Sequence, residues 1–518
     1  MEHYVNDAKS GVRIQAPLCD RQIITELSSD FSLPDYQPQI KRLLQVRAIV
    51  LPADKYVGAG STELSGTVEY HILYCGEDGE LYCATQAEEY RFTCPLETPA
   101  DFELSDGVVC DVESVPDMVV SRVAAPRRLS VKCRLRSRVR LYGTRLLETQ
   151  IRRSENAAEE EPALERLCQT AECARLFVGV GEPLRLGDEI LCDSNQGDLR
   201  VISAEGQVFV TEATAGSDAV NCRGELCLKL LCAQGGEQNT AILLRRIPFS
   251  QAVSIDGVAV NCDCCADGVC TEVRVTVEEN RILCEAAIRL RARAQCNQSL
   301  TLVRDLYATS AECRTETRTL ELPVAWRCFN GNFSLNTTLP WEEVGIKQGT
   351  AVVDLYGTPT VNPPEEDRGK CCLTGKCRFR ALLSGDGDWS AQEFEVPFRY
   401  EADGMSAIPG DYDVTVDLIS CRARMDGERI GVDAELSVSA AMRGVNSVTV
   451  LSEARLGEPV RKCGSVLRIC YPSREDTLWS VAKRYHRPVE QLAETNGLSG
   501  AASADSRESL AGVSYLLV

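Results

Sequence analysis

Histidine is scarce in this chain: the 518 residues contain three, His3, His71 and His486. A Ser-His-Asp or Cys-His centre needs one of them beside a nucleophile and an orienting group. No familiar motif surrounds any of the three, so no hydrolase or transferase site is expected. Gly179-Val180-Gly181 lacks the third glycine of a dinucleotide fingerprint and runs into Glu182-Pro183, which reads as a turn. Positive charge is also short, with 56 Lys and Arg against 76 Asp and Glu and a formal net charge of -20. That balance argues against nucleic acid as the main ligand, because phosphate binding needs a concentrated cationic footprint. Long apolar runs are missing too, and nothing approaches the ~18 residues that cross a bilayer. The start, Met1-Glu2-His3-Tyr4-Val5-Asn6-Asp7, has neither a cationic n-region nor an apolar h-region. These absences lead us to expect a cytoplasmic protein without membrane insertion, without a cofactor and without an active site.

What the sequence does have is a stretch that occurs three times. Gly66-Thr67-Val68-Glu69-Tyr70-His71-Ile72-Leu73-Tyr74 returns as Gly224-Glu225-Leu226-Cys227-Leu228-Lys229-Leu230-Leu231-Cys232. It returns again as Gly375-Lys376-Cys377-Arg378-Phe379-Arg380-Ala381-Leu382-Leu383. With the glycines superposed, the even positions are apolar and the first three intervening positions are mostly polar. Period-two alternation places one set on a buried sheet face and the other toward water. Three such strands, roughly 150 residues apart, indicate three copies of one domain. A closing strand recurs in the same way: Leu129, Val131, Cys133 and Leu135, then Ile282, Cys284, Ala286 and Ile288, then Ile430, Val432, Ala434 and Leu436.

The chain carries 26 cysteines, yet a cytosolic protein of this length does not need disulfides. Cys232, Cys284 and Cys377 fall where the sister copies hold mostly apolar residues, so they read as small buried hydrophobes. The densest group, Cys262, Cys264, Cys265 and Cys270, leaves three readings open: a zinc site with cramped spacing, a loop of free thiols, or disulfides formed after release from the cell.

In chain order, residues 1 to about 30 read as a lead, and Leu33-Pro34-Asp35-Tyr36-Gln37-Pro38 as a turn-rich entry. Ile40, Leu43 and Leu44 follow at near-helical spacing and run into a strand near 46–51. The first copy extends to 150. Residues 151–170 hold an acidic linker or helix around Arg152 to Glu161, and the second and third copies occupy 171–315 and 316–460. The hairpin tip Met425-Asp426-Gly427-Glu428 suits a tight turn. Residues 462–518 form a βααβ module, with Asp476 as a helix N-cap. Leu478, Val481, Ala482 and Tyr485 share one helix face, and Pro488 opens a second helix that stops at Asn496-Gly497. The expected fold is mainly β: three repeated antiparallel β-sandwich or open-barrel domains plus a small C-terminal βααβ domain.

Lys132, Arg134, Arg136, Arg138 and Arg140 lie on one strand face. Two readings stand: a solvated edge that discourages strand aggregation, and a docking stripe for an acidic partner or a neighbouring repeat.

Asp476-Thr477-Leu478-Trp479-Ser480-Val481-Ala482-Lys483-Arg484-Tyr485, followed by Leu492 and Asn496, closely resembles the LysM signature. It departs at Glu475, where the family usually has glycine, and in a polar insert at 499–508. The upstream copies resemble the SPOCS domain in their glycine-led strand and Leu-Pro entry (Leu33-Pro34, Leu339-Pro340), the first copy most clearly. SPOCS repeats ending in LysM resemble the SipL-type spore coat morphogenetic proteins. The resemblance implies a mother-cell scaffold at the forespore surface that binds the coat morphogenetic ATPase SpoIVA through LysM and localises coat layers with other coat proteins. In ordinary LysM domains the corresponding loops flank a groove for N-acetylglucosamine chains. Asp476, Thr477, Leu478, Trp479, Asn496 and Leu498 are therefore the candidate partner- or glycan-binding residues. Trp479 reads either as an exposed stacking platform or as a buried core ring. Glu475 and the lack of an export signal favour a protein ligand, with peptidoglycan binding as the alternative.

Overall fold

The computed structural model describes residues 3–5, 11–58, 60–103, 107–153, 163–191, 199–234, 240–278, 281–347, 349–368, 370–385, 387–402, 410–460, 467–498, 505–506, 510 and 512–518. Each glycine-led strand is the middle of a meander. Ser61–Gly76 lies between Ile40–Val50 and Leu81–Pro95, Ala219–Gln234 between Leu199–Ala215 and Thr240–Ser254, and Lys370–Gly385 between Ala351–Val361 and Asp388–Ala402. A second sheet faces each meander and is centred on the closing strand. Arg128–Leu147 pairs with Val12–Ser32 and Val109–Ala125. Arg281–Ala308 pairs with Leu164–Val180, Leu184–Leu191 and Asp263–Glu278. Arg429–Pro459 pairs with Ala311–Pro340 and Gly410–Asp426. The pairings just named are antiparallel, Arg429–Pro459 also takes the short strand Gln150–Arg153 in a parallel pairing, and each unit is a sandwich in which the first strand pairs with the last.

The alternating residues make the cores. Val68, Tyr70, Ile72 and Tyr74 pack on Leu129, Val131, Cys133 and Leu135. Leu226, Leu228, Leu230 and Cys232 meet Ile282, Cys284, Ala286 and Ile288; Cys377, Phe379, Ala381 and Leu383 meet Ile430, Val432, Ala434 and Leu436. Burying each large apolar side chain contributes roughly 2 kcal/mol before conformational entropy is charged against it. The cysteines at these positions sit in the cores as small hydrophobes.

The three glycines share one environment. Each stands opposite an aromatic residue of the next strand: Tyr90, Phe249 and Phe398. A Cβ added at Gly66 would lie 2.6 Å from the Tyr90 hydroxyl, at Gly224 2.8 Å from the Phe249 ring, and at Gly375 2.5 Å from the Phe398 ring. At Gly224 and Gly375 it would also strike the carbonyl oxygens of Phe209 and Thr360. The ring lies across the backbone, and only glycine leaves room for it.

Several local expectations change. Val12–Ser32 is a full strand of the first sandwich rather than a lead. Ile40–Val50 is strand throughout, and the spacing of Ile40, Leu43 and Leu44 comes from two bulges, not a helix. Leu164–Val180 begins inside the segment read as linker, while 154–162 lie outside the described residues. The junction placed between 315 and 316 falls inside one long strand, Ala311–Pro340. At the hairpin tip, Asp426 is still paired with Arg429 and Gly427 alone takes a positive φ of 59°. In the terminal module the helices are Leu478–Tyr485 and Val489–Thr495, and Ile469–Cys470 pairs with Leu516–Leu517. The N-cap is Thr477, whose hydroxyl accepts from the Ser480 amide in a reciprocal box, and not Asp476.

We expect Gly224→Ala to cost about 2 kcal/mol through overpacking. Gly187→Ala, whose Cβ would have no neighbour nearer than 3.7 Å, should stay within about 0.5 kcal/mol. Urea unfolding of both variants checks this.

Candidate functional site

Each meander carries a β-bulge at the same register: between Leu43 and Gln45, Val201 and Ser203, and Val352 and Asp354. The extra residues, Leu44, Ile202 and Val353, join Leu73, Leu231 and Leu382 in one apolar cluster drawn from all three sandwiches. The repeat alignment contained this signal. The seventh residue after each glycine is leucine, on the face whose first three positions are mostly polar.

A polar layer adjoins this cluster. Arg47, Glu205 and Tyr356 occupy equivalent positions, opposite His71, Lys229 and Arg380. Arg47 pairs with Glu205. Lys229 Nζ lies 2.5 Å from Asp354 Oδ1 and 4.1 Å from the centroid of the Tyr356 ring. Burial works against the charge on Glu205, yet Arg47 and Lys229 hold its carboxyl below the ordinary value.

The hairpins of the second sheets meet in a denser ionic cluster. Asp111, Cys265 and Asp413 are equivalent, as are Glu113, Asp267 and Thr415; Arg140 is equivalent to Arg293. Arg140 lies 2.7 Å from Asp413 and 3.4 Å from Asp111. Arg293 lies 3.4 Å from Asp111 and pairs with Asp413, and Arg291 lies 2.8 Å from Asp267. Against the cost of burial, Arg293 and Arg140 hold the carboxyls of Asp111 and Asp413 well below the usual range. Glu113 goes the other way: burial, then the neighbouring Asp413, pushes it up to about 8. It also accepts a hydrogen bond from the Thr415 hydroxyl at 3.0 Å.

These contacts divide the cationic stripe. Lys132 and Arg136 are exposed. Arg134 pairs with Asp117 at 2.5 Å, and Arg138 binds Asp20 at 2.9 Å and the Tyr412 carbonyl at 3.0 Å. Arg140 is buried between sandwiches rather than presented on an edge.

The cysteine cluster is dispersed. Cys262 is joined to Cys296 by a disulfide. Cys264 and Cys270 enter the second core, and Cys265 points the opposite way, onto Tyr142, Leu176 and Ala441. Burial pushes the thiol of Cys264 up to about 12 and that of Cys270 to about 11. Among the described residues no group of three or more His, Cys, Asp or Glu is placed to hold a metal.

The terminal module is seated on the distal part of the strand Arg281–Ala308. Trp479 is only 5% exposed. Its ring stacks edge-on against Tyr307 at 4.9 Å and its indole N–H donates to Asp305 at 2.9 Å. Lys483 reaches the same carboxylate at 2.6 Å. The Tyr307 hydroxyl donates to the Arg487 carbonyl at 2.6 Å, and His486 Nδ1 lies 2.9 Å from the Ala308 carbonyl. Of the two readings of Trp479, the buried ring is the one adopted. It is buried at a junction with the second sandwich, which no local pattern foretold.

The other candidate groove residues also have internal partners. Asp476 accepts the Ser473 amide at 2.8 Å and pairs with Arg484 at 2.5 Å, and both hold its carboxyl below the ordinary value. Leu478 is buried and Leu498 packs against the module core. Asn496 bridges the Leu517 backbone, accepting at 2.7 Å and donating at 2.9 Å. Among the aromatic side chains of this module, Tyr471 (76% exposed) and Tyr515 (56%) face solvent, and Arg474 and Glu475 are exposed on the adjoining loop. The tyrosines flank the Cys470–Leu516 pair, and Leu467 and Ile469 extend the same exposed apolar patch.

The raised value of Glu113 fixes a pH dependence. Folded, it keeps its proton to about pH 8; unfolded, it releases it near 4.5. Its contribution is complete below about pH 4.5 and is lost as pH rises toward 8, with a limiting slope of about 1.4 kcal/mol per pH unit. Glu113→Gln should therefore gain stability over the parent between pH 5 and pH 8. Thermal melts across that range test the sign.

No helix among the described residues is long and apolar enough to cross a membrane. Residues 199–278 match the family model described as SipL, SPOCS domain. They cover the second meander and the first strand of its hairpin, so this match falls on the second copy. Residues 473–502 match the LysM domain model. No curated protein matches the chain. Both are non-catalytic binding domains. The chain thus carries a SipL-type SPOCS domain within its second sandwich and a LysM domain in the βααβ module seated upon it.

Proposed function

We propose that this protein is a non-enzymatic adaptor of spore coat assembly. In this reading the LysM domain binds a coat morphogenetic ATPase, SpoIVA, and the sandwiches hold other coat proteins at the forespore surface, on the mother-cell side. The combination of a SPOCS domain with LysM supports a coat-associated adaptor. The observation that favours a protein ligand over a glycan is the seating of Trp479. A ring wedged against Tyr307 and tied to Asp305 is not offered to a sugar. The exposed face then rests on Tyr471 and Tyr515, which suit the aromatic centre of a protein interface. Lys132 and Arg136 are the members of the cationic stripe best placed for an acidic coat partner. The division into repeats at 1–150, 171–315 and 316–460 with a module at 462–518 belongs to the same proposal.

The second reading is direct peptidoglycan binding, and the same two tyrosines favour it, since exposed aromatic rings also stack on sugar faces. Removing residues 462–518 should abolish co-purification with SpoIVA while the far-ultraviolet spectrum of the sandwiches persists. Because that deletion uncovers Tyr307, the double variant Tyr471→Ser, Tyr515→Ser is the cleaner probe, with retention expected to fall at least about tenfold. Retention on purified peptidoglycan without SpoIVA, lost in the same variant, would establish the second reading instead.

A further inference from the structure

In the first sandwich two thiols meet across the gap between the sheets. Cys19 Sγ lies 3.7 Å from Cys94 Sγ. Cys94 is fully buried and Cys19 is 9% exposed. Cys19 belongs to Val12–Ser32 and Cys94 to Leu81–Pro95. These are outer strands of the two facing sheets, on a side that no backbone pairing closes. By register Cys19 stands opposite Leu141 and Cys94 opposite Thr62. The equivalent positions of the second sandwich are Phe177 and Val253, packed in its core. Where that copy joins its sheets by apolar contact, the first sets two sulfurs side by side.

We propose that Cys19 and Cys94 are a modification site: a thiol pair that closes into an inter-sheet disulfide when the chain meets a low-molecular-weight disulfide oxidant. The Cys19 thiolate attacks one oxidant sulfur, forming a mixed disulfide and releasing one small thiol. Cys94 then attacks Cys19 Sγ, the Cys19–oxidant bond breaks, and the second small thiol leaves. The two protein thiols lose two electrons and two protons, and one small disulfide becomes two small thiols. Cys19 is the entry point because it is the less buried of the two. It also adjoins a bulge at Pro17, which has no amide hydrogen to give to the ladder. Burial, reinforced by Cys94, pushes the Cys19 thiol up to about 11, so only about one molecule in 10³ is thiolate at pH 8. Closure is accordingly slow and proceeds when the strand edge opens. Once formed, the bond fastens residues 75 apart in sequence and removes freedom from the unfolded chain.

The test is to hold the folded full-length chain with oxidised glutathione at pH 8, quench in acid, alkylate in denaturant and map peptides by mass spectrometry. The expected product is a dithiothreitol-sensitive link between the Cys19 and Cys94 peptides. Cys94→Ala, and independently Cys94→Ser, should stop at the mixed disulfide on Cys19. Recovery of both cysteines as free alkylated thiols, or a link from Cys19 to another cysteine, would overturn the proposal.

Discussion

Three guanidinium groups taken out of water where the sandwiches meet must find three carboxylates, and no single sandwich supplies the set. Arg140 comes from the first copy and Arg291 and Arg293 from the second; Asp111, Asp267 and Asp413 come one from each. Desolvating such groups costs several kcal/mol apiece, which good geometry only offsets, so the cluster adds little net stability. Its effect is on arrangement. A sandwich displaced by one residue would leave a buried charge unpaired at a cost of roughly 3–5 kcal/mol, which selects one mutual placement of the three units among many that bury similar apolar area.

The same selection operates through apolar groups. A β-bulge puts two residues against one and turns a side chain out of the alternating pattern. Placed identically in three meanders, it turns Leu44, Ile202 and Val353 away from their own cores and toward one another. Further out, Ile14, Cys173, Leu300, Leu320 and Val450 gather extensions of all three second sheets into another shared cluster. Equivalent positions meeting equivalent positions is what an approximate threefold arrangement of repeats requires. It follows from one sequence pattern used three times, with the ionic residues redistributed so that opposite charges face each other across the copies.

Much of each sandwich was legible because its determinants are local. Alternation gave the glycine-led and closing strands, and Pro488 and Asn496-Gly497 bounded the last helix. Val12–Ser32 escaped because Pro17 and the polar run Asp20-Arg21-Gln22 break the alternation of a strand that has only one neighbour. Ile40, Leu43 and Leu44 fall at near-helical spacing because two bulges interrupt the period of two at the start of the strand. Arg140 could not be separated from Lys132 by any local rule: both point to the same side of one strand, and the first is buried in a cluster completed by Asp413 of the third copy and Arg293 of the second. Trp479 is the same kind of case, since its surroundings are set by Tyr307 and Asp305 on another unit.

That last contact bears on how an adaptor works. A binding module on a free tether loses orientational freedom each time it engages a partner, and that loss is subtracted from its affinity. Here the module is held by the Trp479–Tyr307 stack, by the shared carboxylate of Asp305 and by backbone contacts from Tyr307 and His486. Its exposed tyrosines therefore stand at a set position relative to the sandwiches before any partner arrives. Ligands on the module and on the sandwiches would then meet at a distance fixed by the protein, and the effective concentration of one for the other would depend on the assembled shape rather than on linker length. The residue whose family likeness points to ligand contact serves here to position the module, and in the function proposed above recognition would pass to neighbours on the solvent-facing side of the small sheet.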